Sequence, residues 1–295
     1  MTLRYPCVTA LLAVPLATAA CIGAELEEEP DELVGVAEGE MISENGYVAN
    51  ALSVNALSVN ALSVNALSVN ALSVNALSVN ALSAITDPGP NGAPARELLR
   101  YLVSCALRAD QTFSFSWTDS DGVAHPEVYR GDLGYAHWWA ALPLGTGHTY
   151  VQSQLSACLA ARANWYGVSV RISLRNNEMP ANQAERAAFT VREGAFWGNL
   201  FSSSPYLRAC YSPGGVTRAR QLQRDCAAGH LSVDPATGAT TVQQCGPMVI
   251  VGSCDAMCNG MDSVNGYYRG CLQNPSVSTS LRTDVVVTSY LPPAP

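Results

Sequence analysis

From Ala95 to Asp110 the chain reads "ARELLRYLVSCALRAD", and Leu98, Leu99, Leu102, Cys105 and Ala106 recur at spacings of three and four. That period lines them along one side of a helix. A second helix is predicted from Thr149-Tyr-Val-Gln152, a capping box, with Val151, Leu155, Cys158 and Leu159 on its apolar face and Gly167 placed to close it. In "VSVRISL" the period becomes two, so Val168, Val170, Ile172 and Leu174 share one face of a strand. Between the helices "FSFSWTDSDGVAHPEVY" reads as a hairpin turning at Asp121-Gly122. "MVIVG" and "DVVVTSY" predict further apolar strands. Helices mixed with antiparallel strands define an α+β fold, a single domain over residues 95–295.

Upstream the pattern is of another kind. From Asn50 the unit Asn-Ala-Leu-Ser-Val recurs seven times, the last copy ending in Ala84. A helix advances about 100° per residue, so a period of five turns each copy by about 140° and builds no apolar stripe. In a strand an odd period sends successive leucines to opposite faces. Two forms remain for residues 45–84: an extended spacer, or a short solenoid with Leu and small residues stacked inward. Seven units make fewer than about two turns of a four-sided coil, below what repeat folds need, which favours the spacer. "DPGPNGAP" marks a Pro/Gly linker over residues 85–94.

Charge is equally uneven. Residues 25–44 hold nine acids and no base, and residues 21–44 are expected to form an acidic, disordered lead. The net charge of −8 belongs to that lead, because Asn91–Pro295 carries fourteen acids and fifteen arginines. No basic patch suits nucleic acid. There is no Lys in the chain, which excludes Schiff-base and P-loop chemistry.

"MTLRYPCVTALLAVPLATAAC" has a positive residue, a short apolar stretch and small residues, the order of a secretory signal over residues 1–20. No later stretch is long enough to span a bilayer as a helix. Ala17-Thr18-Ala19 fits ordinary cleavage, whereas "TAAC" resembles the lipobox of bacterial lipoproteins, in which Cys21 is acylated. Cysteine arithmetic favours the second route. The domain holds eight cysteines, Cys105, Cys158, Cys210, Cys226, Cys245, Cys254, Cys258 and Cys271. Eight can pair completely, and ordinary cleavage would leave Cys21 as an odd thiol in an oxidising compartment. Cys105 and Cys158, each on a buried helix face, are placed to pin the two helices together. Connectivity among the other six is not readable from spacing.

Candidate chemistry is sparse. Cys245, Cys254, Cys258 and Cys271 have the makings of a zinc cluster, but export and an even count favour disulfides. A thiol nucleophile at Cys158 with His137 or His148 requires a cysteine that is free and exposed. His125, His137 and His148 match no common metal-ligand spacing. Asp119 and Asp121 suit an Asx-type turn better than a calcium loop. Glu178 and Glu193 are a conceivable carboxylate pair, with solvent exposure the default. "YAHWWAALP" gathers Tyr135, His137, Trp138 and Trp139, and adjacent tryptophans are hard to bury together, so this cluster is the candidate ligand-binding surface. No catalytic residue, metal or cofactor is assigned.

The order of parts, carried by "NALSVNALSVN" and more loosely by "EGAFWGNLF", resembles uncharacterised Gram-negative surface lipoproteins with N-[AG]-L-S pentapeptide repeats and a cysteine-rich C-terminal domain. The resemblance implies export and anchoring, and no catalytic residues. The expectation is a lipoprotein at the outer membrane or cell surface, otherwise periplasmic or secreted. Its domain would bind a cell-surface glycan or protein, with outer-membrane lipid engaged through the acylated Cys21. The alternative is an extracytoplasmic hydrolase.

Overall fold

A computed structural model of the chain describes residues 42–45, 47–48, 84–90, 92–136, 148–202, 204–277 and 280–295. Its centre is a six-stranded sheet in the spatial order β1 (Ile42–Asn45), β6 (Val170–Arg175), β15 (Val287–Leu291), β7 (Val191–Asn199), β8 (Tyr206–Tyr211) and β11 (Met248–Ser253). Neighbours are antiparallel except β8 and β11, which run parallel. Helices and largely antiparallel strands make the α+β class that the periodicities predict.

Helix α2 (His148–Arg162) lies on one face of the sheet, against β7, β15 and β8, and α1 (Gly92–Ala106) packs against α2. The predicted stripe of α1 is buried in full, as are Val151, Leu155, Cys158 and Leu159 of α2. They meet Ile172, Leu174, Phe196, Leu207, Ala209 and Val287 in one core, where each large side chain contributes about 1.5–3 kcal/mol. Helix α2 is also buried on its polar side. There Asn176 Nδ2 donates to Gln154 Oε1 at 2.9 Å and Asn199 Nδ2 to Gln152 Oε1 at 3.1 Å, so these buried amides are satisfied.

The opposite sheet face carries Ala195, Trp197 and Cys210, covered by Cys254, Cys258, Tyr268, Cys271 and Val286. The four besides Val286, which directly precedes β15, come from helix α5 (Cys254–Met257) and a three-stranded sheet of β12 (Cys258–Met261), β13 (Tyr268–Leu272) and β14 (Arg282–Thr283). Trp197 Nε1 donates to the Leu272 carbonyl at 2.9 Å, fastening the two sheets. Strands with both faces covered explain why β7 is buried continuously from Glu193 to Asn199.

All eight domain cysteines are paired, as Cys105–Cys158, Cys210–Cys254, Cys226–Cys245 and Cys258–Cys271. The first is the helix-pinning bond. Cys254 and Cys258 therefore belong to two different disulfides, which leaves no thiolate set for zinc and no free Cys158 nucleophile.

Strands β3 (Thr112–Thr118) and β4 (Ala124–Arg130) form the predicted hairpin, and Asp119 Oδ1 accepts the backbone N–H groups of Asp121 and Val123 at 3.0 and 2.9 Å, an Asx-type turn. Two boundaries shift. The acidic lead was expected to be disordered throughout, yet residues 42–44 are extended in β1, because an edge strand draws its backbone bonds from β6 whatever its side-chain polarity. Strand β2 (Tyr47–Val48) then pairs in parallel with β5 (Ala163–Asn164). Past the repeat, Ile85 is a core residue at 2% exposure, and Arg96 Nη1 donates to the carbonyls of Ile85 and Asp87 at 3.0 Å each. After the repeat, the folded part thus resumes inside the Pro/Gly linker. Residues 49–83 of the repeat lie outside the described residues, as do Cys21, His137, Trp138 and Trp139.

Candidate functional site

Three consecutive buried residues, Arg224, Asp225 and Cys226, are each held by a partner distant in sequence or across the local turn. Arg224 reaches the end of α2, where its Nη groups donate to the carbonyls of Ala161 and Ala163, a favourable place for a cation. Its Nε donates to Glu193 Oε2 at 2.8 Å, and both side chains are at 0% exposure. Cys226 is bonded to Cys245. Between them Asp225 is fixed against the segment that follows β5.

That segment is Trp165-Tyr166. Asn164, itself buried, shapes the turn: its Nδ2 donates to the Val168 carbonyl at 2.6 Å and its Oδ1 accepts the Tyr166 N–H at 3.2 Å. Gly167 follows at φ +63°, outside the range open to most residues. It serves this turn, five residues past the last residue of α2, instead of closing the helix.

The fourth histidine completes the cluster. His230 opens β9 (His230–Val233), the first strand of a hairpin with β10 (Thr240–Gln243). Gly229 before it has φ +81°, and a Cβ there would stand 2.4 Å from Val242 Cγ1, so glycine lets β9 and β10 close on each other. The imidazole stacks on Trp165 with centroids 4.5 Å apart and planes 7° from parallel, while Tyr166 meets it edge-on at 5.3 Å. His230 Nδ1 is 2.9 Å from Asp225 Oδ2, and the same oxygen accepts the Tyr166 hydroxyl at 3.1 Å. Partial burial and this bond hold the Tyr166 hydroxyl above its ordinary range.

Electrostatics set the tautomer. A carboxylate only accepts, so the proton of the neutral ring resides on Nδ1 and the lone pair on Nε2. The Asp225 side chain is 2% exposed and that of His230 19%, which leaves an anchored base at the surface. Arg220 Nε lies 3.9 Å from Asp225 Oδ1, and neither atom has a hydrogen-bond partner among the described residues.

A second tryptophan–histidine stack differs in kind. Trp117 lies between His125, at 4.5 Å, and the Arg96 guanidinium, at 3.7 Å, with its Nε1 donating to Glu127 Oε1 at 3.2 Å. Both ring faces are covered, so Trp117 offers no stacking platform. His125 Nε2 is 2.7 Å from Asp119 Oδ2, and that contact holds the Asp119 carboxyl below its ordinary range. This stack braces the hairpin turn.

The expected site residues separate. Tyr135 is a correction: it is 3% exposed and packed in the core, so it is no part of an exposed aromatic surface. Its hydroxyl has no hydrogen-bond partner among the described residues, and burial pushes it up. Its companions His137, Trp138 and Trp139 lie outside the described residues. Glu193 is also a correction, since Arg224 buries it. Glu178 is exposed and accepts the Tyr150 hydroxyl at 2.6 Å, so each of the two glutamates has its own partner. Among the described residues no group of three His, Cys, Asp or Glu side chains is placed to hold a metal ion, and no helix is long and apolar enough to cross a membrane.

Reasoning from spacing missed Trp165, Tyr166, Asp225 and His230, because His230 stands 65 residues beyond Trp165 and no linear motif joins them. Comparison with known proteins finds no family model that matches the chain, and no curated protein or solved structure that matches it.

Proposed function

We propose that the chain is an exported protein, anchored at the outer membrane through an acylated Cys21, whose disulfide-stapled domain binds a cell-surface glycan or protein. One observation carries this reading: the domain closes all eight of its cysteines on themselves. Complete pairing suits an oxidising compartment and leaves Cys21, next to the signal, outside every domain bond. Multiple acylation of one cysteine would give a lasting anchor. The aromatic pair Trp138 and Trp139 remains the candidate contact surface. The pentapeptide repeat is the proposed spacer, and the described residues that flank it, β2 before and Ile85 after, belong to the folded unit.

Expressed with its own signal in a Gram-negative host, the protein is expected to incorporate labelled palmitate and to sediment with outer membranes. Cys21→Ser should abolish both. Labelling that survives Cys21→Ser overturns the anchoring. A second reading, an extracytoplasmic hydrolase, is favoured by a separate observation, the Asp225-oriented imidazole of His230.

A further inference from the structure

Of His125 and His230, only His230 has a ring that combines a buried carboxylate on one nitrogen with no hydrogen bond on the other. The contrast with His125 is informative. His125 spends Nε2 on Asp119, whose side chain is 26% exposed, and its own side chain is 41% exposed. His230 turns Nδ1 inward to an Asp225 side chain at 2% exposure and keeps Nε2 outward. Asp225 is in turn fixed by the Tyr166 hydroxyl and by the Arg224 and Cys226 anchors on either side. Burying a carboxylate is costly unless it is bonded. Here its bonds fix the plane and the tautomer of one imidazole, the arrangement that a general base needs.

We propose that Asp225 and His230 form a general-base dyad that hydrolyses neutral carboxylic esters. His230 Nε2 takes a proton from water as the water oxygen bonds to the acyl carbon. The carbon–oxygen bond to the alcohol then breaks, and the proton passes from Nε2 to the departing oxygen. A carboxylic acid and an alcohol result, and no other reactant is consumed. Asp225 is the positioning residue: it holds the tautomer and stabilises the imidazolium that forms. Trp165 covers one face of the ring and confines approach to the Nε2 edge. An uncharged ester is the substrate class taken here because the domain is near neutrality and Arg220, the cation beside the dyad, faces the Asp225 carboxylate. The proposal depends neither on lipidation nor on a binding role for Trp138 and Trp139.

The test uses the oxidised full chain, extracted in detergent, with p-nitrophenyl acetate and butyrate. Hydrolysis above the buffer rate is expected, and it should be slower in heavy water. His230→Gln, whose amide can still donate to Asp225, should lower the rate about tenfold or more. Its melting curve and four disulfides should stay as in the parent. Asp225→Asn should lower the rate comparably, since Asn can present its amide to Nδ1 and favour the wrong tautomer. His125→Gln should hydrolyse like the parent. A rate unchanged in His230→Gln overturns the proposal, as does an equal loss in His125→Gln. An acyl group recovered on His230, with equal rates in light and heavy water, also overturns it in favour of direct nucleophilic attack.

Discussion

Arg224 and Glu193 pair at the C-terminal end of α2 with both side chains at 0% exposure, the guanidinium Nε 2.8 Å from Glu193 Oε2. Ser289 Oγ donates to the same carboxylate oxygen at 2.6 Å, so the pair joins α2, β7, β15 and the Asp225 segment. Removing one partner strands the other charge in the core. Arg224→Met or Glu193→Gln is therefore expected to cost about 3–5 kcal/mol in denaturant melts. A double replacement by well-packed apolar residues should recover much of that loss. Single variants that melt like the parent would show that water reaches the pair.

Cys105–Cys158 closes a sequence separation of 53 residues. On the chain-entropy account that bond contributes about 4 kcal/mol by restricting the unfolded chain. Replacing both cysteines by Ala should lower the unfolding free energy by about that much, and mass spectrometry of the oxidised parent should find no free domain thiol. A loss below about 1 kcal/mol would remove the helix-pinning role.

Alkaline pH should weaken the fold. Burial pushes the hydroxyls of Tyr129 and Tyr268 from 10.0 up to about 12, with Glu127 adding to the first and Asp255 to the second. In the window from about 10 to about 12 the folded chain keeps protons that the unfolded chain has lost, so stability falls as pH rises through it. Denaturant midpoints measured across that window should drop steeply. Tyr129→Phe and Tyr268→Phe should each flatten the drop, and a flat parent profile would contradict the burial of both hydroxyls.

The pentads offer a test of topology. Because the chain joins the folded unit at β2 before the tract and at Ile85 after it, deleting Asn55 to Val69 shortens a connection whose two ends are already held. Loop-closure entropy then predicts a gain of only about 0.5 kcal/mol. A loss of several kcal/mol would mean that the pentads pack as a solenoid against the domain.

What the sequence alone determined is local or countable. Spacings of three and four announced α1 and α2, alternation announced β6 from Val170 onward although Val168 lies exposed ahead of it, Asp121-Gly122 placed the hairpin turn, and eight cysteines implied complete pairing. Each depends on neighbours within a turn or a strand, where side-chain period and backbone geometry are linked directly. The tertiary structure decided everything that needed distant segments to meet. Strand β11 runs parallel to β8 because the long excursion through helix α4 (Val216–Gln221) and β9–β10 lets the chain return in the same direction, which no strand pattern encodes. Glu193 became a core residue because an arginine 31 positions later reached it. His230 met Trp165, Tyr166 and Asp225 only because Arg224 and Cys226 are anchored on either side of Asp225. Burial of a charge and orientation of a ring depend on which surfaces pack together, and that is a property of the folded whole.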